Sequence, residues 1–335
     1  MSLERTAVIG AGSWGTALAN LLAKKGGETV LWSFEPEVAE SIRTEQVNRR
    51  YLDSVRLDER LRVTTDMEEA LDGASVVLSV SPSHVVRPVM AQAARHMAPG
   101  ALVVSASKGI EIESLKTMDE VLADVLPDGN AAAFLSGPSF ALEVGEEHPT
   151  AVTIASHHPE AAQRAQALFQ TPYFRVYTSS DVRGVELGGS LKNVIAIAAG
   201  VVEGLGYRHN TQAALITRGL AEITRLGVAA GAEPSTFAGL AGMGDLILTC
   251  TGSLSRNRQV GIELGRGRPI DEILGGMVAV AEGVRTARSA RDLARKLGIE
   301  MPIVEVVHAM LYEGLAATRA LELLMLREPR RETWG

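Results

Sequence analysis

The sequence predicts an α/β protein in which a doubly wound sheet domain is followed by an all-helical domain. Three observations carry that reading. Short apolar runs alternate with helix-like stretches through the first half of the chain. A glycine-rich turn joins the first run to the first helix. Beyond Asp181 the strand-like runs give way to apolar residues at helical spacing.

In order, the apolar runs at Thr6–Ile9, Thr29–Trp32, 75–80, 101–105 and 131–135 read as buried strands. Between them, 16–25, 38–46, 85–97 and 115–126 read as helices. The runs are continuously apolar rather than alternating, which marks strands covered on both faces and hence a parallel sheet. Right-handed crossovers then place helices on both sides. Residues 150–177 are assigned to the same domain, without individual strands. The second half reads as helices at 191–202, 213–226, 286–297 and Pro302–Tyr312. A chain of 335 residues exceeds what one core usually serves. The reading is therefore of two domains divided near Ser180, 1–180 and 181–335.

Hydrophobic residues make up 46% of the chain and charged residues 22%, ordinary values for a globular protein. The formal charge is -7 with no basic run, a poor match to nucleic acid or an anionic membrane. Such a field does not draw in an anion from afar, so any phosphate site has to be built locally. Cys250 is the sole cysteine, which excludes an internal disulfide and a cysteine zinc cluster. The histidines lack metal spacing. The opening Met-Ser-Leu-Glu-Arg-Thr leaves no room for a signal peptide before the first strand. No apolar run reaches the roughly 18 residues of a membrane span. The expectation is a soluble, cytoplasmic protein without metal, nucleic acid or integral membrane association.

Gly10-Ala11-Gly12-Ser13-Trp14-Gly15 follows the first strand and opens a helix near Thr16. In a nucleotide-binding turn of this form the first glycine permits the tight bend and the second lets a diphosphate approach the backbone. The third lets helix and strand pack closely. The N–H groups at the helix start then face the diphosphate. Glu35 lies 20 residues after Gly15, at the end of the second strand, where a carboxylate accepts from a ribose hydroxyl. A glycine turn by itself is as readily an ordinary connection. The strand, the helix and the acidic residue together favour a Rossmann-type dinucleotide domain, although FAD and dinucleotide-sensing folds share this segment.

Lys108 follows the strand 101–105, and Ser136-Gly137-Pro138-Ser139-Phe140-Ala141 follows 131–135. Both lie at the sheet edge where doubly wound folds bind ligands; a solvated lysine and a tight turn are the plain alternatives. Lys192 precedes the apolar run 194–202. Read as the first turn of a buried helix, it has desolvation and the helix dipole both lowering its pKa, as a proton-transferring amine requires. A lysine snorkelling from the helix end is the alternative. Asp245, in Gly242-Met243-Gly244-Asp245-Leu246, suits orienting an ammonium group. Ser255-Arg256-Asn257 suits a phosphate dianion, with the planar Arg256 fork between two further donors. Taken singly, such residues are most often caps or surface groups. Cys250 reads as a small core residue.

Taken together, these stretches resemble one family, the soluble bacterial NAD(P)-dependent glycerol-3-phosphate dehydrogenases, from Gly10 to about Glu332. The resemblance runs through 10–19 (GAGSWGTALA), Ser107-Lys108-Gly109-Ile110-Glu111, 136–141 (SGPSFA) and Leu191-Lys192-Asn193. It continues through 214–221 (ALITRGLA), 242–257 (GMGDLILTCTGSLSRN) and Glu282-Gly283-Val284. It implies reversible hydride transfer between NAD(P)H and dihydroxyacetone phosphate or sn-glycerol 3-phosphate, supplying phospholipid synthesis, and a homodimer. It also implies that Lys192 is the proton acceptor, with Lys108, Gly137, Ser139, Asp245, Ser255, Arg256 and Asn257 around the small phosphorylated substrate. Beside Gly10, Gly12 and Gly15 of the turn, it places Ser13, Trp14, Phe34, Tyr51, Lys108, Ala141, Arg256, Val280 and Glu282 at the cofactor.

In mechanistic terms Lys192 handles the proton on the substrate oxygen, aided by Asp245, and Lys108 stabilises charge developing there. Ser33-Phe34-Glu35 departs from the Arg or His of many relatives. A carboxylate at that place repels the 2′-phosphate of NADP, so the cofactor is NAD or NADP with NAD favoured. Two readings compete with this one: a hydroxy-acid dehydrogenase with a helical second domain, and a dinucleotide sensor without turnover. A sensor needs neither lysine.

Overall fold

The structure is a computed structural model that describes residues 4–277, 281–328 and 331–332. Among them, eight strands form one sheet: β1 (Thr6–Ile9), β2 (Thr29–Trp32), β3 (Arg62–Thr64), β4 (Val76–Ser79), β5 (Leu102–Ser105), β6 (Ala132–Ser136), β7 (Thr150–Ala155) and β8 (Phe174–Ser179). Their order is β3-β2-β1-β4-β5-β6-β7-β8. β1, β2, β4 and β5 bury every side chain, as their unbroken apolar sequence predicts. The connecting helices are α1 (Ser13–Lys24), α2 (Pro36–Glu45), α3 (Met67–Leu71), α4 (Val86–Ala93), α5 (Met118–Val125), α6 (Ala141–Gly145) and α7 (Pro159–Phe169). Val8, Leu31, Leu78 and Val104 pack on the layer that holds α1. Their neighbours Ala7, Val30, Val77 and Val103 pack on the layer that holds α4 and α5, as the two-residue period of a strand requires. The strand order reverses beside β1, so the crevice at the C-terminal ends of β1 and β4 is where such a sheet takes a ligand.

Three strands and one direction differ from the sequence reading. β3 is too brief and too exposed to show as an apolar run, and β7 and β8 lie within the stretch that carried no individual strands. β7 pairs antiparallel with β6 and parallel with β8, which corrects the expectation of a uniformly parallel sheet. The link between β6 and β7 holds only the five-residue α6, which packs against α1. The 13 residues 137–149 would be long enough for a parallel crossover, but such a crossover usually lays a helix across the sheet, and this link has only that short one. α5 begins at Met118 because Thr117 and Glu120 close a capping box around its first turn.

From Val182 onward the described residues form only helices and their connections. These are α8 (Val182–Gly204), α9 (His209–Ala229), α10 (Pro234–Phe237), a π-helical turn (Leu240–Gly244), α11 (Asp245–Thr251), α12 (Arg256–Gly265), α13 (Ile270–Gly275), α14 (Glu282–Leu297), α15 (Pro302–Tyr312) and α16 (Ala317–Met325). α8 starts well before residue 191, with Asp181 accepting from the Gly184 N–H at 2.9 Å to cap it. At 23 residues α8 is long and apolar enough to cross a membrane, against the expectation that no segment is, yet its apolar stretch is wholly buried inside the protein. α9, α11, α12 and α14 surround it. α12 comes closest: a Cβ on Gly200 would lie 2.0 Å from the Arg258 carbonyl oxygen, and one on Gly261 2.0 Å from that of Ile197. A helix covered on all sides needs no polar face, which explains the run 194–202. Cys250 is fully buried here, and desolvation pushes its thiol up to about 12, as befits an inert core residue.

Candidate active site

The glycine turn has the shape its sequence predicts. Gly10 has a φ of +120°, and a Cβ on Gly15 would stand 1.9 Å from the Gly10 carbonyl oxygen. A Cβ on Gly12 would meet nothing within 4 Å, so the turn is open on that side. The N-terminus of α1 has no side-chain cap and no acidic residue in its first turn. Its leading N–H groups, including those of Ser13, Trp14 and Gly15, therefore lack intrahelical acceptors and suit a diphosphate. At the end of β2, Glu35 accepts from the Tyr51 hydroxyl at 2.8 Å, while Phe34 is 78% exposed and meets Trp32 edge-on. Arg43, Arg49 and Arg50, the basic residues next along the chain, pair with Glu40, Glu45 and Glu37.

Across the sheet edge, residues far apart in sequence converge on one carboxylate. Asp245 is the first residue of α11 and is 1% exposed. Its Oδ2 accepts from Lys108 Nζ at 2.6 Å, and its Oδ1 accepts from Lys192 Nζ. Lys108 also points a donor at the Gly137 carbonyl, 3.4 Å away, and that carbonyl accepts from Ser139 Oγ at 3.0 Å. Lys192 donates further to Thr249 Oγ1 at 2.8 Å, whose hydroxyl donates to the Asp245 carbonyl at 2.6 Å. An ammonium group has three donors. Each lysine thus spends two within the protein and keeps one.

Lys192 requires a correction. It sits about three turns into α8 rather than at its start, so the helix-end dipole does not act on it. Burial does. Desolvation lowers its pKa to about 8; Asp245 opposes that shift and Lys108 adds to it.

The other predicted residues divide into three groups. Asn257 Nδ2 donates to Asn193 Oδ1 at 2.9 Å, and Asn257 Oδ1 accepts from the Gly283 N–H at 2.9 Å, tying α12 and α14 to the residue beside Lys192. Glu282 accepts from the Ser83 N–H at 3.1 Å and from its hydroxyl at 2.6 Å, bridging α14 to the loop after β4. Ala141 opens α6 below the Gly137 turn. Ser255 caps α12 by accepting from the Arg258 N–H at 3.2 Å, a structural duty. Arg256 is exposed but walled by protein: desolvation lowers its pKa, and Glu282 opposes the shift. Among the described residues no hydrogen bond joins Arg256 to Lys108, Asp245 or Lys192. Val280 lies outside the described residues. The sequence reading passed over Thr249 and Asn193 as site residues. Thr249 stands four residues after Asp245 on one helix, a same-face spacing that could have found it.

This geometry can now be set beside known proteins. A family model described as "NAD-dependent glycerol-3-phosphate dehydrogenase N-terminus" matches residues 5–162, and its C-terminal counterpart matches residues 181–322. The chain belongs to this family. Its members are NAD(P)-linked oxidoreductases, and the likeness is nearly end to end. The glycerol-3-phosphate dehydrogenase [NAD(P)+] of Citrifermentans bemidjiense is 57% identical over 331 residues, 98% of this chain and 99% of that protein. The crystal structure of glycerol-3-phosphate dehydrogenase from Coxiella burnetii superposes with a TM-score of 0.93 at 39% identity, over 97% of this chain and 99% of that one. A ketopantoate reductase from Ralstonia eutropha shares the fold alone, with a TM-score of 0.57 at 19% identity over 95% of this chain and 99% of that one.

Proposed function

We propose that the chain interconverts sn-glycerol 3-phosphate and dihydroxyacetone phosphate, with the C2 oxygen of the substrate held between the Lys108 and Lys192 ammonium groups. Asp245 carries the proposal: one buried carboxylate accepts from both lysines and leaves each with a donor to spare. A nicotinamide bound there would supply the hydride to C2 or take it back. Lys192 gives a proton to the oxygen during ketone reduction and takes it during oxidation, and a pKa of about 8 suits both directions near neutrality. Lys108 stabilises negative charge on the same oxygen. Arg256, at the open side, binds the phosphate through its planar fork. Gly137, Ser139 and Asn257 complete the substrate wall.

The glycine turn would hold the diphosphate of the dinucleotide, and Lys108, Ala141, Arg256 and Glu282 are the residues that would serve its nicotinamide end. NAD is favoured over NADP, because Glu35 stands at the ribose end and Arg43, Arg49 and Arg50 are each engaged by a glutamate. Residues 1–180 form the dinucleotide domain and lend Lys108, Gly137 and Ser139 to the substrate site, whose other residues, with a homodimer contact, belong to the helical domain 181–335. The exposed Leu323, Met325 and Leu326 at the end of α16 support such a contact. A cytoplasmic enzyme supplying glycerol 3-phosphate to phospholipid synthesis fits these features.

The test is NADH oxidation with dihydroxyacetone phosphate beside a 2-keto acid. Turnover confined to the phosphorylated ketone is expected. Preference for the keto acid would make the chain a hydroxy-acid dehydrogenase, and turnover with neither would make it a sensor.

A further inference from the structure

Asn48 lies between the two ends of the dinucleotide region and is fully buried. Its Nδ2 donates to the Ala11 carbonyl at 2.8 Å and to Thr16 Oγ1 at 2.8 Å, one in the glycine turn and one in α1. Its Oδ1 accepts from the Tyr51 N–H at 3.1 Å. Its own carbonyl accepts from the Leu52 N–H at 2.9 Å, which closes residues 48–52 into a tight strap. An asparagine with both N–H groups and its carbonyl engaged out of water does not swing. The far end of the strap delivers the Tyr51 hydroxyl to Glu35 Oε1 at 2.8 Å. Arg50, in the same strap, stacks over the Tyr51 ring at 5.4 Å and pairs with Glu37 at 2.7 Å.

We infer that this strap is the device that discriminates between the two cofactors: Asn48 fixes it to the glycine turn, and the Tyr51 hydroxyl holds the Glu35 carboxylate at the end of β2. The inference rests on the reading that Glu35 faces the cofactor's 2′ position. A carboxylate free to rotate into water can retreat from a 2′-phosphate, so its repulsion is weak. A carboxylate held by a phenol cannot retreat, and the repulsion stays in force. Burial, followed by the hydrogen bond to Glu35 and then its charge, raises the phenol above its ordinary pKa, so it remains a donor at neutral pH. The same strap carries Arg50, a cation engaged by Tyr51 and Glu37 rather than left free to neutralise the phosphate. Asn48 and Tyr51 act here through Glu35 and are positioning residues.

The experiment measures kcat/KM for NADH and for NADPH, at saturating dihydroxyacetone phosphate, in the native enzyme, Tyr51→Phe and Asn48→Ala. The NADH-to-NADPH ratio should fall roughly three- to tenfold in Tyr51→Phe, the scale of the net contribution of one ordinary hydrogen bond. Asn48→Ala should show a similar fall, together with a higher KM for both cofactors. A merely structural role would lower activity with both cofactors alike and leave the ratio unmoved. Tyr51→Phe removes one hydroxyl and settles the matter even where Asn48→Ala folds poorly. If the native enzyme favours NADPH, the Glu35 reading fails and the strap with it. If it favours NADH and Tyr51→Phe leaves the ratio unchanged, the cofactor reading stands and the strap alone is overturned.

Discussion

Asp245 and Glu222 are both buried carboxylates in the helical half, 1% and 4% exposed, and their surroundings treat them in opposite ways. Asp245 faces two ammonium groups, one from the sheet edge and one from α8. Glu222, on α9, faces the first turn of α15, where both its oxygens accept from the Ile303 N–H at 3.0 and 3.1 Å. A helix N-terminus favours an anion, and Arg225 helps, yet desolvation prevails and pushes Glu222 up to about 7. Around Asp245 the burden of burial falls on a cation instead, and Lys192 drops to about 8. Burial sets the cost of a charge in both places, and the partners decide which group yields. One site thereby gains an amine that exchanges a proton near neutrality. The other gains a helix cap that is half neutral under the same conditions.

The widest breach of this contrast should come from Lys192→Ala, which is expected to lower turnover by roughly 100-fold or more while the chain stays folded. Near-native turnover in a folded variant would move the proton to Lys108. The native pH profile sharpens the same point. Ketone reduction needs the ammonium form and should fall as pH rises through about 8, whereas alcohol oxidation should rise over that range. Flat profiles for kcat/KM in both directions would remove Lys192 from proton transfer.

Asp245→Asn should cost nearly as much, because it leaves the buried Lys192 and the half-buried Lys108 ammonium groups facing each other without their shared countercharge. Since the three groups act as a unit, Asp245→Asn combined with Lys192→Ala should lose no more than about threefold beyond the worse single variant. Multiplicative losses in the double variant would mean that the carboxylate and the amine work independently.

Arg256 is the cation left open to water, and its replacement should act on binding rather than on turnover. Arg256→Gln is expected to raise KM for dihydroxyacetone phosphate roughly tenfold, and Arg256→Lys less, because lysine keeps the charge and loses the fork. An unchanged KM in both, at saturating cofactor, would exclude Arg256 from the phosphate site.

The smallest effect concerns stability alone. The folded pKa of Glu222, about 7, lies above its ordinary value of 4.5. Its contribution to stability is therefore fully present below about 4.5 and is lost as pH rises through about 7. Glu222→Gln, neutral at every pH, should gain about 2.5 kcal/mol on the native protein at pH 8 relative to pH 5, read as a shift in Tm between the two series. An equal change at both pH values would make Glu222 a plain cap whose charge does not matter.

The dinucleotide turn was legible because its chemistry is local: three glycines, a strand before and a helix after all fall within 20 residues of sequence. The start of α8 was not legible. Gly184, Gly188 and Gly189 lower the helix propensity of its first turns, and only packing on all sides restores it. The strands β7 and β8 were hidden because, toward the edge of the sheet, partly exposed residues break the continuous apolar run that marks the strands at its centre.

By itself the sequence determined the doubly wound half, the helical half and the presence of two lysines and an aspartate in unusual surroundings. It did not determine that they meet. Lys108 and Asp245 are 137 residues apart and Lys192 and Asp245 are 53 apart, separations for which no periodicity gives a distance. Their convergence was decided by the packing of α8 on the sheet edge and of α11 on α8. That packing also takes water away from Lys192 and leaves Asp245 as its countercharge, so the pKa on which the chemistry turns is a property of the tertiary structure.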